Sequence, residues 1–216
     1  MALITLHSLD RAEAVRYLGD ARVAMNPEME RLLEECEREV LATAEPKYLY
    51  KVKELPWPEL MRGEDIRAHL EGCTQAVLLA ATLGTGIDRM LRIAQVTDLS
   101  RAVVLDALAG VAIEQVCARF EELLAEQCPD RFLTVRFSPG YGDYPIDLQK
   151  WFLTELDAQK KIGLTTSDHS LLIPTKSVTA VLGLSETEVP KQRRGCASCT
   201  LRDTCNYRKR GDHCDI

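Results

Sequence analysis

Arg136 opens the segment Arg136-Phe137-Ser138-Pro139-Gly140-Tyr141-Gly142-Asp143-Tyr144-Pro145, in which a β-like stretch runs directly into a Pro-Gly turn. Gly140 and Gly142 lack side chains, so a ligand can approach the backbone closely beside a guanidinium that forks onto carboxylates. The corner suits a small molecule bearing a carboxylate. The same composition also makes ordinary structural corners, because Pro, Gly and flanking tyrosines are common turn residues. Glu114 is the second candidate. Gly110 and Val111 precede it and Cys117 and Ala118 follow it at helical spacing, which sets a carboxylate on a stripe of small and apolar residues. A charge there calls for a cationic partner, unless the residue is simply the solvated edge of an amphipathic helix.

A third constellation is Cys196, Cys199, Cys205 and Cys214, with gaps of two, five and eight residues, in a polar stretch. Four thiolates so close together satisfy a tetrahedral zinc ion or an iron–sulfur cluster, and they match no single zinc-ribbon spacing. We expect metal, the iron–sulfur cluster ahead of zinc, with a reduced metal-free tail as the alternative. Lys191, Arg193, Arg194, Arg208, Lys209 and Arg210 flank these cysteines. The rest of the chain is acidic and offers no interleaved aromatic platform, so a protein-docking or solvated surface is expected rather than a nucleic-acid interface. Leu83-Gly84-Thr85-Gly86 follows an apolar run and precedes a helical one. It lacks the third glycine and the acidic residue at the strand end that a dinucleotide site requires, and it reads as a tight turn.

The elements that position these residues follow from periodicity. Pro27 to Ala44 reads as a helix ending at Glu45-Pro46, and Lys47 to Leu55 as an exposed strand. A short helix is expected from Gly63 to Glu71, a buried strand over Gln75 to Leu83, and helical spacing from Ile87 to Gln95. The longest helix runs from Leu99 to about Gln127. Arg131 to Phe137 is β-like, Asp147 to Gln159 is helical, and Leu171 to Ile173 and Ser177 to Leu184 are strands. Long helices mixed with strands outside regular βαβ alternation predict an α+β fold, with the helices on a mostly antiparallel twisted sheet.

Composition agrees with a folded, water-facing protein: 46% of the 216 residues are hydrophobic and 28% charged, with a net charge of −6. The charge is uneven, since residues 191–216 hold seven Lys/Arg against three Asp/Glu, whereas the first 190 hold 20 against 30. We therefore expect one domain over residues 1–190 and a basic, Cys-rich tail over 191–216. Charges interrupt the N-terminal stretch and no apolar run is long enough for a membrane span, which predicts a cytoplasmic protein without membrane partners.

Arg136 to Tyr141 resembles the Arg-x-x-Pro-Gly-Tyr signature of the activation domain of cobalamin-dependent methionine synthase, in its short stand-alone form. The likeness extends from about Gly63 to Leu184, including ATLGTGID upstream and GLTTSDHSLLIPTKSVTAVLGL downstream. It implies that Arg136 binds the carboxylate of S-adenosylmethionine, that Pro139, Gly140 and Tyr141 line the site, and that Glu114 faces its amino-acid and sulfonium end. It also implies a backbone contact at Asp143, although Gly-Asp-Tyr-Pro replaces the family's Ala-Cys-Pro context here. The implied activity is reductive methylation of cob(II)alamin on a partner, with an electron donor such as flavodoxin or ferredoxin. The chain has no Asp-x-His-x-x-Gly motif, so the cobalamin would belong to a methionine synthase subunit. The rival expectations are reactivation of another corrinoid protein, and a non-catalytic metal-binding interaction protein working through its cysteine tail.

Overall fold

The structure, a computed structural model, describes residues 4–18 and 27–189. Within these are α1 (Arg11–Tyr17), α2 (Pro27–Thr43), β1 (Lys47–Glu54), α3 (Glu64–His69), β2 (Gln75–Thr82), α4 (Thr85–Thr97) and α5 (Leu99–Gln127). They are followed by β3 (Phe132–Leu133), α6 (Leu148–Leu156), α7 (Ala158–Ile162), β4 (Thr165–Thr166), β5 (Leu172–Ile173) and β6 (Ser177–Ser185). The fold is α+β. Its main sheet has the order β1-β2-β6-β3 with every neighbour antiparallel, and β4 and β5 form a separate two-stranded ribbon.

Strand β2 reads QAVLLAAT without polar alternation because both of its faces are covered. Val77, Leu79 and Ala81 join a core built with α1, α2, α4 and α5, while Ala76, Leu78 and Ala80 join a second core containing Trp57, Tyr144 and Phe152. Helices therefore lie on both sides of the sheet. Phe152 is completely buried, and truncating it to Ala would cost about 3–5 kcal/mol of stability.

The long helix α5 starts where Asp98 accepts a hydrogen bond from the Arg101 amide at 3.1 Å. One stripe of it, including Leu105, Leu108, Ala112 and Val116, is buried against the sheet and the neighbouring helices. The short α1 lies against it, capped by Asp10 and tied down where the buried Glu37 carboxylate accepts the Leu9 amide at 2.7 Å.

Two sequence expectations change. The helix expected from Asp147 to Gln159 breaks at Asp157, whose left-handed φ of 53° ends α6 before α7 begins. The strand expected from Arg131 to Phe137 shrinks to β3 and a single bridge between Phe137 and Val181. The cause is Thr134: its hydroxyl accepts the Gly183 amide at 2.8 Å, taking a ladder position with a side chain. The expected boundary at residue 190 and the basic tail lie outside the described residues.

Candidate functional site

Arg136 sits between two backbone attachments to β6. Thr134 donates its amide to the Gly183 carbonyl at 3.0 Å, and Phe137 and Val181 exchange both backbone hydrogen bonds at 2.9 and 2.8 Å. The guanidinium reaches the middle of α5, where Nη2 donates to Glu114 Oε2 at 2.9 Å. Its Nε is also ion-paired with Glu121, in contact but without the alignment of a hydrogen bond. Glu114 and Glu121 are seven residues apart and so share one face of the helix.

Burial grades this triad. The Arg136 side chain is 12% exposed, Glu121 31% and Glu114 48%. Burial pushes the Arg136 pKa down, but Cys117, Glu114 and Glu121 around it carry the value above that of an ordinary guanidinium, so the cation is secure. Burial likewise pushes the Cys117 thiol up to about 12, so this buried group beside the guanidinium stays protonated at neutral pH. The structure thus brings Arg136 and Glu114 together. Glu121 escaped the sequence reading, although its seven-residue offset from Glu114 is a visible signal.

The turn after Arg136 is held by its own backbone. The Tyr141 amide donates to Ser138 O at 3.2 Å, Gly140 N to Tyr144 O at 2.8 Å, and Tyr144 N to Tyr141 O at 2.9 Å. Gly140 has φ +95° and Gly142 φ +52°, conformations that disfavour any side chain. A Cβ on Gly142 would in addition overlap the Asp65 carboxylate. Pro139 is buried beneath the turn, whereas Tyr141 is 62% exposed with its ring 6.2 Å from that of Phe137.

Asp143 has a structural assignment. Gly63 cannot cap α3 itself, and the Asp143 carboxylate accepts the Glu64 and Asp65 amides at 2.6 and 3.0 Å. Asp65 returns the bond by accepting the Asp143 amide at 2.9 Å. Those backbone donors hold the Asp143 carboxyl below its ordinary pKa. The backbone contact expected at Asp143 therefore has its N–H committed to Asp65, and the carbonyl is the group left to meet a ligand.

A separate cleft of about 550 Å³ opens beside α6 and β4, lined by Asp147, Lys150, Thr154, Asp157, Thr166 and Asp168 among others. None of the sequence-expected residues lines it. Its walls are mainly carboxylates and hydroxyls, and it lacks the aromatic and glycine surfaces of the Arg136 turn. Among the described residues no group of three or more His, Cys, Asp or Glu is placed to hold a metal ion, and no helix is long and apolar enough to cross a membrane. Cys196, Cys199, Cys205 and Cys214 lie outside the described residues.

No protein-family model matches the chain, and no curated protein matches it in sequence. Among solved structures it is similar to the MetH reactivation domain bound to AdoHcy, with a TM-score of 0.64 over 94% of this chain and 82% of that one, at 14% identity. The chain has the fold of that domain.

Proposed function

We propose that this chain binds S-adenosylmethionine at the Arg136 turn and directs its methyl group to a corrinoid held by another polypeptide, restoring a cobalamin-dependent methionine synthase. The observation that carries the reading is the Arg136–Glu114 pair at 2.9 Å beside a glycine turn. A largely buried cation and an exposed carboxylate side by side match the two charged ends of an amino-acid zwitterion. The fold supports the same reading, since the similar MetH domain binds AdoHcy, which is S-adenosylmethionine without its transferable methyl group.

In this reading Arg136 receives the ligand carboxylate and Glu114 turns from Arg136 to the ligand ammonium. Glu121 stays on the guanidinium and keeps it aimed. Tyr141 offers an exposed ring, Gly140 and the Asp143 carbonyl offer backbone that a ligand can approach closely, and the buried Pro139 supports the turn from below. Bound S-adenosylmethionine supplies an electrophilic methyl group, and the partner's cobalamin, reduced from cob(II)alamin by a donor such as flavodoxin or ferredoxin, is the nucleophilic substrate. The chain contributes orientation rather than proton transfer, because methyl transfer to a metal nucleophile needs no general base. Isothermal titration tests the binding step. Saturable one-to-one uptake of S-adenosylmethionine, abolished or strongly weakened in Arg136→Ala, supports the reading, and no uptake by the wild type overturns it.

We also propose that Cys196, Cys199, Cys205 and Cys214 hold a metal, an iron–sulfur cluster ahead of zinc, since four thiolates suit either. Iron and sulfide in anaerobically purified protein, with broad visible absorption, support the cluster. Stoichiometric zinc in colourless protein overturns it in favour of a structural site, and metal-free protein overturns both.

A further inference from the structure

Helix α1 is anchored beside the Arg136 site by more than its apolar residues. Asp10 donates its amide to Gln115 Oε1 at 3.1 Å, and Gln115 Nε2 donates back to Ser8 O at 3.1 Å, so the strap is fastened to the residue next to Glu114. Ala14 and Val15 are buried on α5, and the following residue but one, Tyr17, is 46% exposed. Its ring covers Gly110: a Cβ built there would lie 3.6 Å from Tyr17 Cε2, 3.7 Å from Cδ2 and 3.9 Å from Lys176 Nζ. Lys176 is itself held by Asp106, to the carbonyl at 3.0 Å and to the carboxylate at 2.9 Å. One face of α5 thus runs Asp106, Gly110, Glu114 and Glu121, with Lys176 at one end, Arg136 at the other and Tyr17 over the residue that has no side chain.

We propose that Tyr17 is a ligand-contact residue whose ring meets the sulfonium of S-adenosylmethionine. The inference rests on the S-adenosylmethionine reading above and adds a residue to it. With the carboxylate at Arg136 and the ammonium at Glu114, the ligand sulfur lies three bonds beyond the α-carbon. Gly110 is one helical turn, about 5.4 Å, further along the same face. A sulfonium at that level sits next to an aromatic ring, which attracts cations through its quadrupole. Burial and the nearby Glu13 and Glu114 push the Tyr17 hydroxyl up to about 12, with Arg16 pulling the other way, so the side chain is an uncharged ring at neutral pH. The ring already accepts one cation, the Arg16 guanidinium with its carbon 5.1 Å from the centroid, so the sulfonium would have to meet the ring away from Arg16.

The test is isothermal titration of full-length wild type and the Tyr17→Phe, Tyr17→Leu and Tyr17→Ala variants with S-adenosylmethionine and, in parallel, with S-adenosylhomocysteine, which lacks the S-methyl group and with it the sulfonium charge. Thermal unfolding of each variant checks folding, and the leucine variant keeps bulk at the position if alanine does not fold. Tyr17→Phe should bind both ligands within about twofold of wild type. Tyr17→Leu and Tyr17→Ala should lose on the order of tenfold for S-adenosylmethionine and distinctly less for S-adenosylhomocysteine. Unchanged S-adenosylmethionine affinity in the folded leucine variant, or equal losses for both ligands, overturns the Tyr17 assignment alone. Failure of the wild type to bind either ligand overturns it together with the reading on which it rests.

Discussion

Arg136 Nη2 and Glu114 Oε2 stand 2.9 Å apart, and the same guanidinium is shared with Glu121 two turns along α5. One cation serves two carboxylates, which leaves one negative charge in excess at a half-buried position. S-adenosylmethionine entering with its carboxylate on Arg136 and its ammonium on Glu114 also brings a sulfonium, so its one net positive charge offsets that excess. Glu114 then has the ligand ammonium as its partner, while Arg136 is shared by Glu121 and the ligand carboxylate.

The two glutamates should therefore separate by role. Glu114→Gln removes the partner of the ligand ammonium and should weaken S-adenosylmethionine binding by about 1–3 kcal/mol, the cost of an unmatched charged hydrogen bond. Glu121→Gln leaves that partner in place and loosens only the aim of Arg136, with a smaller loss of about 0.5–1 kcal/mol. Calorimetry on both variants checks this, and a larger effect at Glu121 than at Glu114 would reverse the assignment.

Asp143 predicts a pH signature in stability. Its folded pKa lies below the ordinary value of 3.8, because the Glu64 and Asp65 amides donate to the carboxylate. The stabilisation from the cap is then complete above the unfolded pKa and is lost as the pH falls through the lower folded one. Asp143→Ala should lower the thermal midpoint at pH 7, and the gap to wild type should narrow below about pH 4. A gap that is constant from pH 7 to pH 2 would mean that the carboxylate charge plays no part.

Tyr144 is 1% exposed, lies against Phe137 and Phe152, and has a hydroxyl without a hydrogen-bond partner among the described residues. Burial pushes its pKa upward. An unpaired buried hydroxyl costs about 1–3 kcal/mol relative to a paired one, so Tyr144→Phe should leave stability unchanged or raise it by about 1 kcal/mol. Chemical denaturation measures this, and a loss of more than about 1 kcal/mol would show that the hydroxyl has a partner in solution.

The sequence made the large elements legible because their signals are local. The apolar run of β2 and the spacing of α5 announce a doubly covered strand and a long amphipathic helix, and the ends of α5 fall where Asp98 and Cys128 stand. Non-local chemistry was harder to read. The shortening of β3 depends on the Thr134 hydroxyl meeting Gly183, 49 residues away, and the cap of α3 comes from Asp143, 79 residues beyond Glu64. The break at Asp157 needs a left-handed residue that is not glycine, which periodicity does not register. At the site, the strand-to-turn corner marked Arg136, and the family resemblance, supported by helical spacing, marked Glu114. That they pair with each other, and that Glu121 joins them, is a property of the fold.

The central claim is that Arg136 holds the carboxylate of S-adenosylmethionine. The most direct measurement is isothermal titration of full-length wild type and Arg136→Ala with S-adenosylmethionine under identical buffer conditions, with thermal unfolding to confirm that both are folded. The account predicts one-site binding by the wild type and a loss of about 2–5 kcal/mol in Arg136→Ala, the range for truncating one side of a buried charge pair. Equal affinity in the folded variant, or no binding by the wild type, would contradict it.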